Sequence, residues 1–217
     1  MDKRTATGVS YGFVAGYVDT LGFVALGGLF VAHVTGNIVL IGASLATTGF
    51  AVLIKLLAFL AFVFSVICTR LVLLRIAPPH QLPWARGLQI VLLLAFMAAG
   101  LKARPIHDID APLVLLAGML GVAAMAVQNA VGRILLPTHA PTTVMTGNVT
   151  QLVIDVTDLV RGAGSPETRL RAQRYFWPLV SFAFGAIPGA FAWFRFSFWG
   201  LLVPVLVLAV TLRWQAE

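Results

Sequence analysis

Long apolar runs separated by short polar stretches divide the chain into eight segments, residues 8–31, 35–48, 50–76, 85–101, 111–133, 146–160, 173–194 and 196–213. Crossing about 30 Å of hydrocarbon takes roughly 20 helical residues, and six of the segments meet or approach that length. The second and sixth do not. Each supplies about 14 residues, roughly 21 Å of helix, and each opens on the same tripeptide, Thr35-Gly36-Asn37 and Thr146-Gly147-Asn148.

The two short segments occupy equivalent places. Setting Thr35 on Thr146 and allowing a one-residue gap brings Asp19 onto Asn129 and Gly22 onto Gly132. The third segments correspond once an insertion at 161–174 is allowed, with Ser65 near Gly185 and Thr69 near Gly189. The pattern predicts an all-α, polytopic membrane protein, internally duplicated, with six transmembrane helices and two short re-entrant or broken half-helices starting at Thr-Gly-Asn. It forms a single membrane domain of two repeats, 1–105 and 106–217. Three spans per half is an odd number, so the repeats are expected to be inverted; eight full spans in parallel repeats is the alternative.

Composition agrees. Of 217 residues 59% are hydrophobic and 11% charged, and the mean hydropathy is +0.94, far from soluble chains, in which roughly a quarter of residues are charged. Fifteen Lys and Arg against eight Asp and Glu read as topological charge flanking the spans, not as a nucleic-acid surface. With six spans, Lys3, Arg4, Arg70, Arg75, Arg86, Arg133, Arg161, Arg169, Arg171, Arg174 and Arg213 fall inside and only Lys55, Lys102, Arg104 and Arg195 outside. Both termini are then cytoplasmic. Cys68 stands alone, which excludes an intramolecular disulfide and a cysteine-only metal cluster.

Irregular backbone survives inside a membrane only where protein or water satisfies its amides. Thr35 and Thr146 fit as N-caps, Gly36 and Gly147 accommodate close approach, and Asn37 and Asn148 each bring a donor and an acceptor. Two half-helix N-termini aimed at the midplane would favour an anion or the oxygens of a polar solute; the competing reading is that the motifs only lock the fold. His33, two residues before Thr35, is a further candidate, and His139 approaches the second motif. Asp19 is the titratable member of its pair, hence the candidate proton-coupling group. Asn129 with Gln151 and Asp155 on one face of the sixth segment could form a vestibule. Asp158 on that face is expected to pair with Arg133 or the 161–174 loop, and the milder first-half face runs Asn37, Leu40, Ser44, Thr47.

Gly8, Gly12 and Gly16, and again Gly185 and Gly189, recur every four residues, a spacing that lets membrane helices approach closely, while Pro188 predicts a kink. The run Trp193, Phe194, Phe196, Phe198 and Trp199 around Arg195 reads as an interfacial turn, and Trp84 and Trp177 as interface residues.

Gly16-Tyr17-Val18-Asp19-Thr20, followed by Gly27-Gly28-Leu29-Phe30-Val31-Ala32-His33-Val34-Thr35-Gly36-Asn37 and by the second Thr-Gly-Asn, resembles the signature of the YoaK-like family of bacterial inner-membrane proteins. The resemblance covers nearly the whole chain and implies a multi-pass protein of the bacterial inner membrane. It carries no assigned activity.

The expected function is a secondary transporter or facilitator of a small polar solute, anions included, across the bacterial inner membrane. A narrow channel, a membrane scaffold or assembly factor, and an intramembrane lipid-processing enzyme are the alternatives. No His-Glu-x-x-His, Gly-x-Ser-x-Gly or Gly-x-x-x-x-Gly-Lys-Ser/Thr pattern occurs, so no catalytic residue, metal site or cofactor is assigned. The expected partners are membrane lipids, the solute and a second copy in a homodimer.

Overall fold

The computed structural model describes residues 3–46 and 52–212, with the side chains of Lys3 and Arg4 outside that description; Thr47 and Arg213 also lie outside the described residues. The chain forms helices α1 (Lys3–Ala25), α2 (Val34–Ala46), α3 (Val52–Leu73), α4 (Pro78–Lys102), α5 (Pro112–Ile134), α6 (Met145–Val160), α7 (Pro166–Phe196) and α8 (Leu202–Thr211), with a 3-10 turn at Ser197–Leu201. Among the described residues four stretches, Val52–Leu73, Pro78–Lys102, Pro112–Ile134 and Pro166–Thr211, are long and apolar enough to cross a membrane. The protein is therefore an all-α, polytopic membrane protein. The lipid-facing character is plain on α3, where Phe59, Leu60, Phe64 and Ile67 are exposed. α1 is less apolar because protein surrounds it: Val14, Ala15, Val18 and Leu21 are fully buried.

Cross-helix contacts fix the directions. A side chain at Gly8 would meet Pro178, one at Gly16 would meet Phe182, and one at Gly189 would meet Tyr17, so α1 and α7 run parallel. Gln89 bonds Gln128 while Phe96 faces Gly121, so α4 and α5 are antiparallel. Gly100 faces Phe198 and Arg86 reaches Thr211, which makes α4 and α8 antiparallel as well. Leu26 faces Gly118 and Gln128 reaches Tyr11, opposing α1 and α5. Each short helix packs on its successor in the chain, α2 on α3 and α6 on α7.

The glycine spacing is explained by the α1–α7 contact. Cβ atoms at Gly16 and Gly185 would strike the carbonyl groups of Phe182 and Phe13, backbone against backbone. Gly185 therefore serves close packing, and α7 continues as one helix through both Pro178 and Pro188.

Three boundaries differ from the hydrophobic pattern. α1 stops at Ala25 instead of continuing to 31, because Gly27 and Gly28 take φ of 60° and 83°, which no helix contains. α7 starts well before its apolar stretch, so most of the 161–174 insertion is helical. Ser165 caps it with a reciprocal box, its Oγ accepting from Thr168 N–H at 3.3 Å and its own N–H donating to Thr168 Oγ1 at 3.2 Å, with Pro166 opening the first turn. The aromatic run does turn, at Ser197 with φ 54°. Phe198, however, is fully buried against Phe96 and Trp193 and does not sit at an interface.

Candidate functional site

After α1, residues 26–33 fold back along the helix instead of leaving it. Asn37, in the first turns of α2, clamps that loop at two points, its Oδ1 accepting from Phe30 N–H at 3.0 Å and its Nδ2 donating to Phe30 O at 2.7 Å. Asp19, 3% exposed, supplies the second anchor. Its Oδ1 accepts from Ala32 N–H at 2.6 Å, and its Oδ2 lies 2.5 Å from His33 Nδ1. A Cβ on Gly36 would come within 2.9 Å of the Phe30 ring, which also stacks on Phe23. His33 sits edge-on to Phe30 and to Phe182 of α7. Asp19, His33, Gly36 and Asn37 thus form one unit, while Thr35 is exposed.

The second motif repeats this plan with different chemistry. Asn148 is buried and its Nδ2 donates to Pro141 O at 2.5 Å. Pro141 stands seven residues before Asn148, as Phe30 does before Asn37, but offers no N–H, so one bond of the clamp is missing. Asn129 takes the part of Asp19. Its Oδ1 accepts from Thr143 Oγ1 at 2.5 Å, fourteen residues on, the separation that joins Asp19 to His33. Gly147 meets nothing, and Thr146 is exposed.

Neither threonine is an N-cap. α2 already includes Val34, and the N-cap of α6 is Val144, with no side-chain cap bond. The asparagines do the anchoring instead, because an amide can donate and accept at once and so hold a peptide unit that a hydroxyl would hold by one end.

Gln151 and Asp155 form a separate cluster. The Asp155 side chain is fully buried, and the Arg171 guanidinium reaches it through Nε at 3.1 and 2.9 Å and Nη2 at 2.7 Å, with Gln151 Nε2 adding a bond at 2.8 Å. The pairing expected of Asp158 falls to Asp155, one turn nearer the packed face, and it ties α6 to α7.

A buried polar chain escaped sequence reasoning. Arg86, counted there as a loop cation, is 1% exposed. Its Nε donates to Tyr11 Oη at 3.2 Å, Nη1 donates to the carbonyl of Thr211 at the end of α8, and the guanidinium lies 5.7 Å from the Tyr11 ring centre. Gln89 Nε2 donates to Gln128 Oε1 at 2.8 Å, and Gln128 Nε2 donates to Tyr11 O and to Thr142 Oγ1. The available signal was the spacing of Arg86 and Gln89, three residues apart on one face of α4.

The loop before α6 walls two pockets at the end of the bundle where α5 ends and α7 begins. One, about 250 Å³, is lined by Gln128, Asn129, Arg133, Thr142, Thr143 and Tyr175 among others. The other, about 180 Å³, includes Gln173, Arg174 and Trp177. His139 borders both. Of the sequence candidates, Asn129 lines the first pocket and His139 both, while Asp19, His33 and Asn37 belong to the other loop.

No curated protein and no solved structure matches the chain. The model of a family described as protein of unknown function (DUF1275) matches residues 7–214, and the chain belongs to that family, the YoaK-like proteins.

Proposed function

We propose that the protein is a secondary transporter or facilitator of a small polar solute, anions included, across the bacterial inner membrane. In this reading α1, α3, α4, α5, α7 and α8 are the six spans, α2 and α6 are half-helices, and residues 1–105 and 106–217 are inverted repeats. The observation that carries it is the paired loop anchors, Asp19 with His33 and Asn129 with Thr143, built at one spacing on helices that run in opposite directions. The helix contacts follow the same exchange: α1 with α7 answers α5 with α3, and α4 with α5 answers α8 with α1. Inverted repeats joined by broken helices form alternating-access sites, one repeat rocking against the other.

Thr35, Gly36, Asn37 and His33 form the outer solute-facing group in this reading, Thr146, Gly147 and Asn148 the inner one, with Asp19 carrying the coupled proton and both termini cytoplasmic. A channel needs no titratable group in the outer anchor, and a scaffold needs no pocket. The test is solute uptake by proteoliposomes under an imposed pH gradient. Uptake that follows the gradient and disappears in Asp19→Asn supports the reading; absence of flux for every small polar solute tried, with folded protein, overturns it.

A further inference from the structure

We propose that the pocket between the N-terminal parts of α1 and α7 holds the headgroup of an anionic phospholipid, its phosphate on Arg174 and an acyl chain along α7. The inference goes beyond the transport reading and stands without it.

The 180 Å³ pocket has three walls. Leu170, Gln173, Arg174, Trp177 and Pro178 form one, and their spacing keeps all five on one face of α7. Thr5 and Gly8 of α1 form the second, and the loop before α6 adds His139 as the third. A Cβ on Gly8 would stand 3.1 Å from the Pro178 ring, so the two helices close the pocket at that level. Every other lining residue of either helix lies N-terminal to that contact.

The polar chemistry suits an anion. Among the described residues no Asp or Glu lines the pocket. Arg174 is exposed and, among the described residues, in no ion pair, so its guanidinium is available to phosphate oxygens. Residues 161–177 carry Arg161, Arg169, Arg171 and Arg174 against Glu167 alone, and Arg171 is spent on Asp155. Such a basic segment draws an anionic headgroup, whereas the ammonium of a zwitterionic lipid would find no counter-charge in the pocket.

The apolar half of the ligand has its own seat. Leu170, Trp177, Phe184 and Phe191 recur every seven residues and are 63%, 47%, 70% and 71% exposed. They make an apolar strip that leads from the pocket along the membrane-spanning part of α7. From Trp177 to Phe191 the helix rises roughly 21 Å, enough to line an acyl chain through one leaflet of a hydrocarbon core about 30 Å thick. Trp177, edge-on to Phe176 at 5.1 Å, stands where charged sequence gives way to apolar, as tryptophan does at headgroup depth. A free phosphate would use Arg174 and leave this strip bare.

The test uses the purified full chain in uncharged detergent micelles. Native mass spectrometry counts bound ligand as phosphatidylglycerol, phosphatidylcholine with the same chains, or glycerol phosphate is added. Phosphatidylglycerol is expected to bind about fivefold more tightly than phosphatidylcholine, the preference that one arginine gives beside an anionic headgroup. Arg174→Gln should remove that preference and Arg174→Lys, which keeps the charge, should retain it. Arg169→Gln, on the same helix but outside the pocket, should retain it too. Trp177→Ser should weaken both lipids alike. Equal binding of the two lipids overturns the proposal. An equal loss of preference in Arg174→Gln and Arg169→Gln also overturns it, in favour of diffuse attraction to the basic segment. Glycerol phosphate binding as tight as phosphatidylglycerol overturns it in favour of a free-phosphate site.

Discussion

Asp19 and His33 lie fourteen residues apart and meet at 2.5 Å, carboxylate to imidazole, with the second carboxylate oxygen holding the N–H of Ala32. One side chain thus makes two separable contacts: an uncharged oxygen suffices for the Ala32 bond, whereas the proposed proton coupling needs the titratable group.

Asp19→Asn separates them. The amide oxygen keeps the Ala32 bond, so yield and thermal unfolding in detergent should stay near wild type, within about 1 kcal/mol, while pH-gradient dependence of uptake is lost. Asp19→Ala strands the buried Ala32 N–H and should destabilise by about 1–3 kcal/mol. Equal instability of the two variants would make the residue a fold anchor alone.

The two motif glycines should respond oppositely. Gly36→Ala drives a methyl into the Phe30 ring, whereas Gly147→Ala meets open space. Overpacking predicts a loss of about 1–3 kcal/mol for the first; for the second, helix propensity predicts no loss and a gain of up to about 1 kcal/mol. Gly16→Ala should exceed both in cost, because backbone of Phe182 stands in the way and cannot rotate aside. Thermal unfolding of the four proteins side by side ranks them.

Arg171→Ala should lower the unfolding temperature by leaving the Asp155 carboxylate buried with Gln151 as its remaining bonded neighbour. Adding Asp155→Asn to that variant should recover part of the loss, since the stranded charge is gone. A double variant no more stable than Arg171→Ala would show that the pair matters through packing rather than charge.

Arg86→Gln should destabilise more than Tyr11→Phe. The arginine bridges α1, α4 and the end of α8, and its loss frees the terminal carbonyl of Thr211, a loss of about 3 kcal/mol. The phenol contributes a single bond, about 1 kcal/mol. Loss of α8 protection in hydrogen exchange, confined to the Arg86 variant, would locate the effect.

Much of the fold was readable from residue order. Spans and the two short helices follow from run length and from the repeated tripeptide, and the close α1–α7 contact from glycine spacing. The site was less legible. Asp19 stood out because a carboxylate in an apolar helix is expensive, but its partner depends on a loop that doubles back only because Gly27 and Gly28 adopt positive φ. Arg86 looked like topological charge since sequence cannot tell whether a cation near a helix end faces water or the end of another helix. The choice between Asp155 and Asp158 turned on which side of α6 faces α7, and one helical turn carries both.

Pro141 has a consequence of its own. Where the loop after α1 is gripped through both a donor and an acceptor of Phe30, the loop before α6 lacks the one hydrogen atom that proline cannot supply. Two loops of shared design are therefore held by unequal numbers of bonds, and the one with fewer lines a pocket. A residue with an N–H in place of Pro141 would offer Asn148 the second bond that Asn37 makes.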